Sequence, residues 1–403
     1  MPEAMTKDSN RTRLTWICYL CYFFTGSLVT VSGMMLGPIA KTYGVSPGSI
    51  SYVFTLQNGL MFIIILVGGF MMQKISLKKL FLLAIIVEFI AMGILQIFVS
   101  MPFSFAIFMA VVGFSGGIFM ALASFLIVRI YSDPVARSTR LVMADFFFSF
   151  SGVVMPMLAG QLLQYHVFWI VIYYVISIVG LVILFMVVAS KFPDVVADSR
   201  DNAELYTEKW GAPVYLISIS CFFFIMGELV FAQWLPLYLQ RYMNVSEGRS
   251  GMYESLFWGF MAIGLFVGRF VMKKFRLGNF IIGTFGLATL FMIIIALVPN
   301  ELVIAIAIIF CGFFNSVVYA SMLAYGSLQV KHNPPTLIAF ILAIGTLGTM
   351  ASSPVSGYLA NNMSIHAAFA SCFILYIIGF IFFLLCRSCS KAEKIHGELR
   401  GEG

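Results

Sequence analysis

The amino-acid sequence predicts an all-α membrane protein with twelve transmembrane helices in two six-helix repeats, and three observations carry the prediction. The first is composition. Hydrophobic residues make up 61% of the 403 positions and charged residues only 10%, against roughly 25% charged in a soluble domain. The second is run length. The uncharged stretches 14–40, 89–128 and 146–190 exceed the roughly 20 residues needed for one crossing of the hydrocarbon, so the longer ones hold two crossings each. The third is an internal repeat. Lys41, Val45, Ser46 and Gly48 return as Arg241, Val245, Ser246 and Gly248, and Gly113, Phe114 and Ala121 as Gly312, Phe313 and Ala320. Asp133-Pro134 returns as Asn333-Pro334 and Pro156 as Pro354, all about 200 positions apart. In a chain this apolar, two like halves are the signature of a secondary transporter with its site at the interface of the repeats.

Charges, Pro, Gly and Asn divide the chain into its spans in order. A tail, 1–13, precedes the first span, 14–40, which is too long for a signal-peptide core and lacks a small-x-small cleavage site, so it is read as a retained helix. Pro38 near its end removes a backbone donor and permits a bend. The second span, 49–73, follows the Gly44 to Gly48 turn and ends at Lys74. Lys78 and Lys79 precede the third, 80–100, and Pro102 precedes the fourth, 103–131. The fifth, 141–164, starts after Arg137 and Arg140, and the sixth, 168–190, lies between His166 and Lys191. Residues 191–212 hold the only sizeable polar stretch inside the chain and form the linker between the bundles 14–190 and 213–387. The second bundle divides into 213–240, 251–273, 279–299, 301–330, 335–361 and 366–387, followed by a tail, 388–403. Strands are excluded, because no alternating pattern with barrel spacing appears and lone strands cannot span lipid.

Of the 24 Lys and Arg residues, all but Lys41, Arg241 and Arg249 fall in the tails, one set of loops and the adjoining helix ends. The positive-inside rule therefore puts both termini of a multi-pass membrane protein in the cytoplasm. The net charge of +7 follows from that asymmetry and suits anionic lipid; no basic tract suits nucleic acid. Two C-x-x-C pairs, Cys18/Cys21 and Cys386/Cys389, have no His or carboxylate company in sequence and read as ordinary membrane thiols. No metal spacing, nucleophile elbow, phosphate loop or dinucleotide fingerprint occurs. No enzyme, cofactor or metal is expected, and the chain is expected to act as a monomer.

Twelve helices in two like halves resemble the major facilitator superfamily over nearly the whole chain. Its motif between the second and third helices is present as Gly69-Phe-Met-Met-Gln73-Lys74-Ile-Ser76-Leu-Lys78-Lys79, with Gln73 where the family has an acid and Ser76 where it has a second glycine. The usual salt-bridge latch of the cytoplasmic gate thus lacks its carboxylate. The second half echoes it at Gly268-Arg269-Phe-Val-Met-Lys273-Lys274. GELVFAQWLPLYL (227–239) and GFFNSVVYAS (312–321) are similar to segments of the fucose–proton symporter-like group. NRTRLTWICYLCYFFTGSLVTVSGMMLG, RLVMADFFFSFSGVVMPM and IAFILAIGTLGTM look more specifically like the TsgA-type branch of bacterial inner membranes. The resemblance implies transport of a small molecule by alternating access.

The few charges at membrane depth are the candidates for coupling. Glu228 lies about 22 Å beyond Pro213 and Glu88 about 12 Å beyond Leu80 at about 1.5 Å per residue. An ionised acid there must face a cavity, find a partner or stay protonated, and an acid that takes and releases a proton is what a proton-coupled carrier needs. The seventh helix lines the cavity in this superfamily, which favours the coupling reading for Glu228. The third stands on its flank, which favours a structural acid at Glu88. Asp145, placed about 6 Å inside the fifth span, reads as a cap or gate ion pair with Arg129, Arg137 or Arg140, or else as a third proton candidate. Gln73, Lys74, Lys78 and Arg269 complete the gate candidates. Neutral polar groups at mid-depth, Gln57, Asn58, Gln233, Trp234, Asn315 and Tyr319, are the cavity candidates; each needs a partner, and a solute or another helix supplies it. Asn315 and Tyr319 are four apart and so share a helical face. Trp234 stacks on a sugar ring or packs, Pro236 beside it permits a second bend, and Gly264 and Gly268 read as close helix contact.

No basic residue lies clear of the helix ends, so a neutral or cationic small polar solute is favoured. The expectation is a secondary active transporter coupled to the proton gradient by symport. The same fold serves a proton-antiport exporter of drugs or metabolites, and a reading from another class is a membrane sensor or assembly protein without transport. Such proteins usually carry an added soluble domain, and here the longest polar stretch is the linker.

Overall fold

The computed structural model describes residues 2–193, 210–330 and 335–390, and no strand occurs among them. Their helices are α1 (Pro2–Thr30), α2 (Ser32–Tyr43), α3 (Pro47–Lys74), α4 (Leu77–Ile97), α5 (Pro102–Ile130), α6 (Pro134–Gln164) and α7 (Ile170–Val188). There follow α8 (Ala212–Tyr242), α9 (Glu247–Val271), α10 (Leu277–Leu297), α11 (Glu301–Asn315), α12 (Val318–Ser327), α13 (Pro335–Asn362) and α14 (Ile365–Cys389). With α11 and α12 counted as one, eleven spans are long and apolar enough to cross a membrane, and α1 with α2 makes a twelfth, bent by 51°. The twelve expected crossings are present.

Helix starts follow local chemistry. Proline opens α3, α5, α6 and α8, where its missing N–H would find no partner anyway. Asp133 accepts the Ala136 N–H at 2.7 Å, and Ser364 accepts that of Ala367 at 3.0 Å, each satisfying an orphan donor of a first turn. This Asp133-Pro134 start corrects the expected fifth span, which the sequence began at 141. The basic residues Arg137 and Arg140 ride on the helix rather than preceding it.

Two spans are broken where the sequence suggested otherwise. The first bends at Val31, and Pro38 lies inside α2. Around the bend, hydroxyls feed the carbonyls of the preceding turn: Ser27 to Phe23 at 2.7 Å, Thr30 to Gly26 at 2.9 Å and Ser32 to Val29 at 2.8 Å. Such back-bonding competes with the helical ladder and bends helices. The tenth span breaks after Asn315, where Ser316 Oγ donates to the Phe313 carbonyl at 2.7 Å. α8 continues through Pro236.

The chain falls into two compact units, Met1–Ser199 with Asn244–Ser255, and Arg200–Met243 with Leu256–Gly403. In the first, α1 packs on α5, α6 and α7, α3 on α5, and α4 on α5 and α7, around buried rings that include Phe24, Phe54, Phe81 and Phe119. Residues 244–255 lie against the C-terminal half of α6. The Gly248 N–H donates to Gln164 Oε1 at 3.1 Å, and a Cβ at Gly251 would lie 3.1 Å from Gly160 Cα. In the second unit, α14 and α13 pack on α8, and α10 packs on α11 and α14.

The repeat is visible in the packing of each unit. A Cβ at Gly113 of α5 would strike the Gln57 carbonyl of α3, and a Cβ at Gly312 of α11 would strike the Phe257 carbonyl of α9. Gly44 and Asn244, equivalent by sequence, both take the left-handed conformation, with φ of 63° and 54°. Only Gly and, less readily, Asn do so routinely. Gly264 and Gly268 make the expected close contact, against Phe313 and Val317 respectively.

Candidate functional site

A polar cluster in the second unit is built from three spans. α8 carries Glu228 about 24 Å from its start at about 1.5 Å per residue, and the side chain is 6% exposed. The preceding residue explains its company. Gly227 has no side chain, and a Cβ there would come within 2.6 Å of the Tyr376 ring, so this ring of α14 lies directly on the α8 backbone beside the acid. The Tyr376 hydroxyl donates to Asn315 Oδ1 at 2.6 Å. Asn315, the last residue of α11, is also the polar neighbour of the Glu228 carboxyl, although its Nδ2 makes no bond that closes to hydrogen-bond distance. Tyr319 of α12 lies within electrostatic range of the same carboxyl, with its hydroxyl over Gly345 of α13. The break between α11 and α12 interrupts the helical face expected to carry Asn315 and Tyr319, yet both remain near Glu228.

Gln233, one and a half turns further along α8, accepts from Ser353 of α13 at 3.1 Å. Trp234 is fully buried with its indole N–H unmatched.

The first unit holds the other candidates. Glu88 of α4 is 2% exposed. Its Oε1 accepts from Ser177 of α7 at 2.7 Å, while Oε2 has no partner and lies where a Cβ at Gly180 would be 3.4 Å away. Gln57 and Asn58 of α3 are buried, and Gln57 Oε1 has no partner.

Asp145 is neither a cap nor close to a helix start. Asp133 caps α6, and Asp145 lies about 16 Å along that helix at about 1.5 Å per residue, beyond the first turn in which the macrodipole acts. It is exposed and within electrostatic range of Tyr22. The arginines expected beside it turn elsewhere. Arg137 Nε donates to the Tyr131 carbonyl at 3.3 Å, Arg140 donates to the Tyr19 hydroxyl at 3.4 Å, and Arg129 is exposed.

In the 69–79 motif, Lys78 donates to the Val188 and Ser190 carbonyls at 2.9 and 3.2 Å. Arg13 donates to the neighbouring Ala189 carbonyl at 2.6 Å. Both cations thus satisfy the orphan carbonyls at the end of α7, where the macrodipole favours positive charge. Gln73 and Lys74 are exposed. The side chain of Arg269 lies outside the described residues.

The sequence reading missed four residues. Tyr376, Ser177 and Ser353 are partners drawn from distant helices, and no local pattern marks them. Glu254 is 1% exposed in α9. A span that starts at 251 places Glu254 at a helix end. Ser246 and Glu247, a capping residue followed by a first-turn acid, were the signal for the earlier start that α9 takes.

Comparison with known proteins identifies relatives of the chain and of its fold. The model of the Major Facilitator Superfamily matches residues 15–334. A protein named TsgA homolog from Yersinia pseudotuberculosis serotype O:1b (strain IP 31758) is 33% identical over 393 residues, which cover 97% of this chain and 99% of that protein. Its counterpart in Yersinia enterocolitica serotype O:8 / biotype 1B is 34% identical over the same shares. Among solved structures, a D-xylose-proton symporter superposes with a TM-score of 0.73 at 14% identity, over 93% of this chain and 97% of that one. The transporter FucP in its outward conformation superposes with a TM-score of 0.59 at 18% identity, over 93% and 98%. These two likenesses are of fold.

Proposed function

The chain belongs to the major facilitator superfamily, and from that premise we propose that it is a secondary active transporter that moves a small polar solute by alternating access, in symport with protons. The observation that carries the reading is Glu228. It is buried at depth in α8 with an amide and phenols for neighbours, and no cation neutralises it among the described residues. A fixed negative charge so placed is costly, whereas a carboxyl that alternates between neutral and ionised forms is what proton coupling uses. Asp145 and Glu88 are the alternative proton sites. The bond from Ser177 and the interior position of Glu88 support a structural role there.

Gln57, Asn58, Gln233, Trp234, Asn315 and Tyr319 supply the solute contacts in this reading, and the unmatched oxygen of Gln57 is a ready acceptor for a solute hydroxyl or amine. The moving halves are 14–190 and 213–387, joined by the linker 191–212. Gln73, Lys74, Lys78, Arg129, Arg137, Arg140 and Arg269 stand at the cytoplasmic gate. The setting is a bacterial inner membrane with both termini inside, and the solute is neutral or cationic. The structural likeness to a D-xylose-proton symporter fits such a role without specifying the solute.

A lone carboxyl serves antiport as well as symport, so proton-driven export of drugs or metabolites is the second reading. An unbiased metabolite uptake screen in right-side-out and inside-out vesicles, with and without a pH gradient, separates them. Accumulation only when solute and protons move in the same direction supports symport, and opposite directions support antiport. No gradient-dependent uptake of any metabolite in either orientation would favour a membrane sensor or assembly role.

A further inference from the structure

The Glu228 cluster poses a question of orientation. A side-chain amide can offer either its oxygen or its nitrogen to a neighbour, and Asn315 stands between two neighbours that respond differently. On one side the Tyr376 hydroxyl donates to Oδ1 at 2.6 Å; on the other is the Glu228 carboxyl. Asn315 is 1% exposed and Tyr376 0% exposed, so bulk water does not reach either side chain. If the amide were reversed, Nδ2 would donate to Tyr376, and the tyrosine's own O–H would have no acceptor. Among the described residues its bond to Asn315 is the only one that hydroxyl makes. A buried donor left unmatched is more destabilising than a typical hydrogen bond is stabilising, so the reversed amide is disfavoured. In the orientation present, Nδ2 is left for the acid's side of the amide and closes no hydrogen bond of its own.

We propose that Tyr376 is a positioning residue for proton coupling: by occupying the oxygen of Asn315 it presents the amide nitrogen to Glu228, which gives the ionised carboxylate a donor and denies the protonated carboxyl an acceptor. The inference rests on the reading of Glu228 as the proton-binding group. Its consequence is that the proton can leave. A carboxyl buried without a cation would keep its proton through the whole cycle, and a carrier that cannot release its proton cannot reset. A donor held in place offsets part of that bias, because hydrogen bonds to a charged group are the stronger kind. The other titratable groups facing the acid are Cys311 of α11 and Tyr319 of α12, and Cys372 of α14 lies beside Tyr376. On α13 the only titratable side chain is Tyr358, which is exposed.

The test is infrared difference spectroscopy of the full-length protein in liposomes across a pH series, following the C=O stretch of a protonated carboxyl. Glu228→Gln should abolish one titrating band. Tyr376→Phe keeps the ring and removes only the hydroxyl; in it that band should persist to a pH higher by about one unit, a tenfold change in proton affinity. Asn315→Leu, similar in volume and without the donor, should shift it at least as far, and it carries the test if the tyrosine variant does not fold. The double variant should shift no further than Asn315→Leu alone, because the tyrosine acts only through the amide. A band that disappears in Glu228→Gln but keeps its midpoint in both Tyr376→Phe and Asn315→Leu would overturn the positioning role and leave the proton site standing. Additive shifts in the double variant would also overturn it. Absence of any titrating band that depends on Glu228 would overturn the proton site itself.

Discussion

Single residues separate what local chemistry dictates from what it leaves open. At Asn244 the backbone sits at φ 54°, a conformation that is unfavourable for most L-residues by roughly 1–2 kcal/mol. Asn244→Gly is therefore expected to leave the thermal unfolding midpoint of the purified protein unchanged or raised, whereas Asn244→Val should lower stability by about that amount. Equal behaviour of the two variants would contradict the left-handed assignment. Glu88→Gln keeps an oxygen to accept from Ser177, so both stability and proton-driven uptake should be retained; loss of uptake alone would move Glu88 into the proton path. The depth of Glu228 was legible in the sequence as an acid inside a long apolar run. Its neighbour Tyr376 was not, because the two come together only after α8 and α14 pack. Glu254 was hidden by a span boundary drawn a turn too late.

Among elements, the number of spans followed from run length and hydropathy, but their irregularities did not. Proline was the obvious marker of a bend, yet the first span bends at Val31 and α8 runs on through Pro236. The hydroxyls of Ser27, Thr30 and Ser32 act through carbonyls one turn back, a signal spread over several weak positions. The start of α6 is set by Asp133-Pro134, a cap followed by a first-turn proline, while the basic residues that suggest a boundary lie within the helix. The repeat makes a sharper prediction. Gly113 and Gly312 meet equivalent backbone carbonyls in their respective units, so Gly113→Val and Gly312→Val should both lower the unfolding midpoint clearly. At Gly69, where an added Cβ would meet nothing, Gly69→Val should have a far smaller effect. An effect at Gly69 as large as at the other two would show that glycine matters there through helix properties and not through packing.

At the scale of the whole molecule, composition and the 200-residue echo revealed the architecture, and the resemblance of the 69–79 motif pointed to the superfamily, but none of these carries information about the solute. Topology is checked by single cysteines in a cysteine-free background. Ser100, Ser246 and Asn362, all exposed, should react with an impermeant thiol reagent added outside intact cells, and Ser76 should not. Labelling of Ser76 from outside would invert the orientation proposed from the basic residues. The central claim, that a proton on Glu228 drives transport, is tested most directly by Glu228→Gln in vesicles with the solute found by the uptake screen. The variant fixes the site in a form that resembles the protonated carboxyl. It should still exchange labelled for unlabelled solute across the membrane, because exchange does not require the proton to leave, and it should fail to accumulate solute against a gradient when a pH difference is imposed. Full proton-driven accumulation by Glu228→Gln would contradict the account.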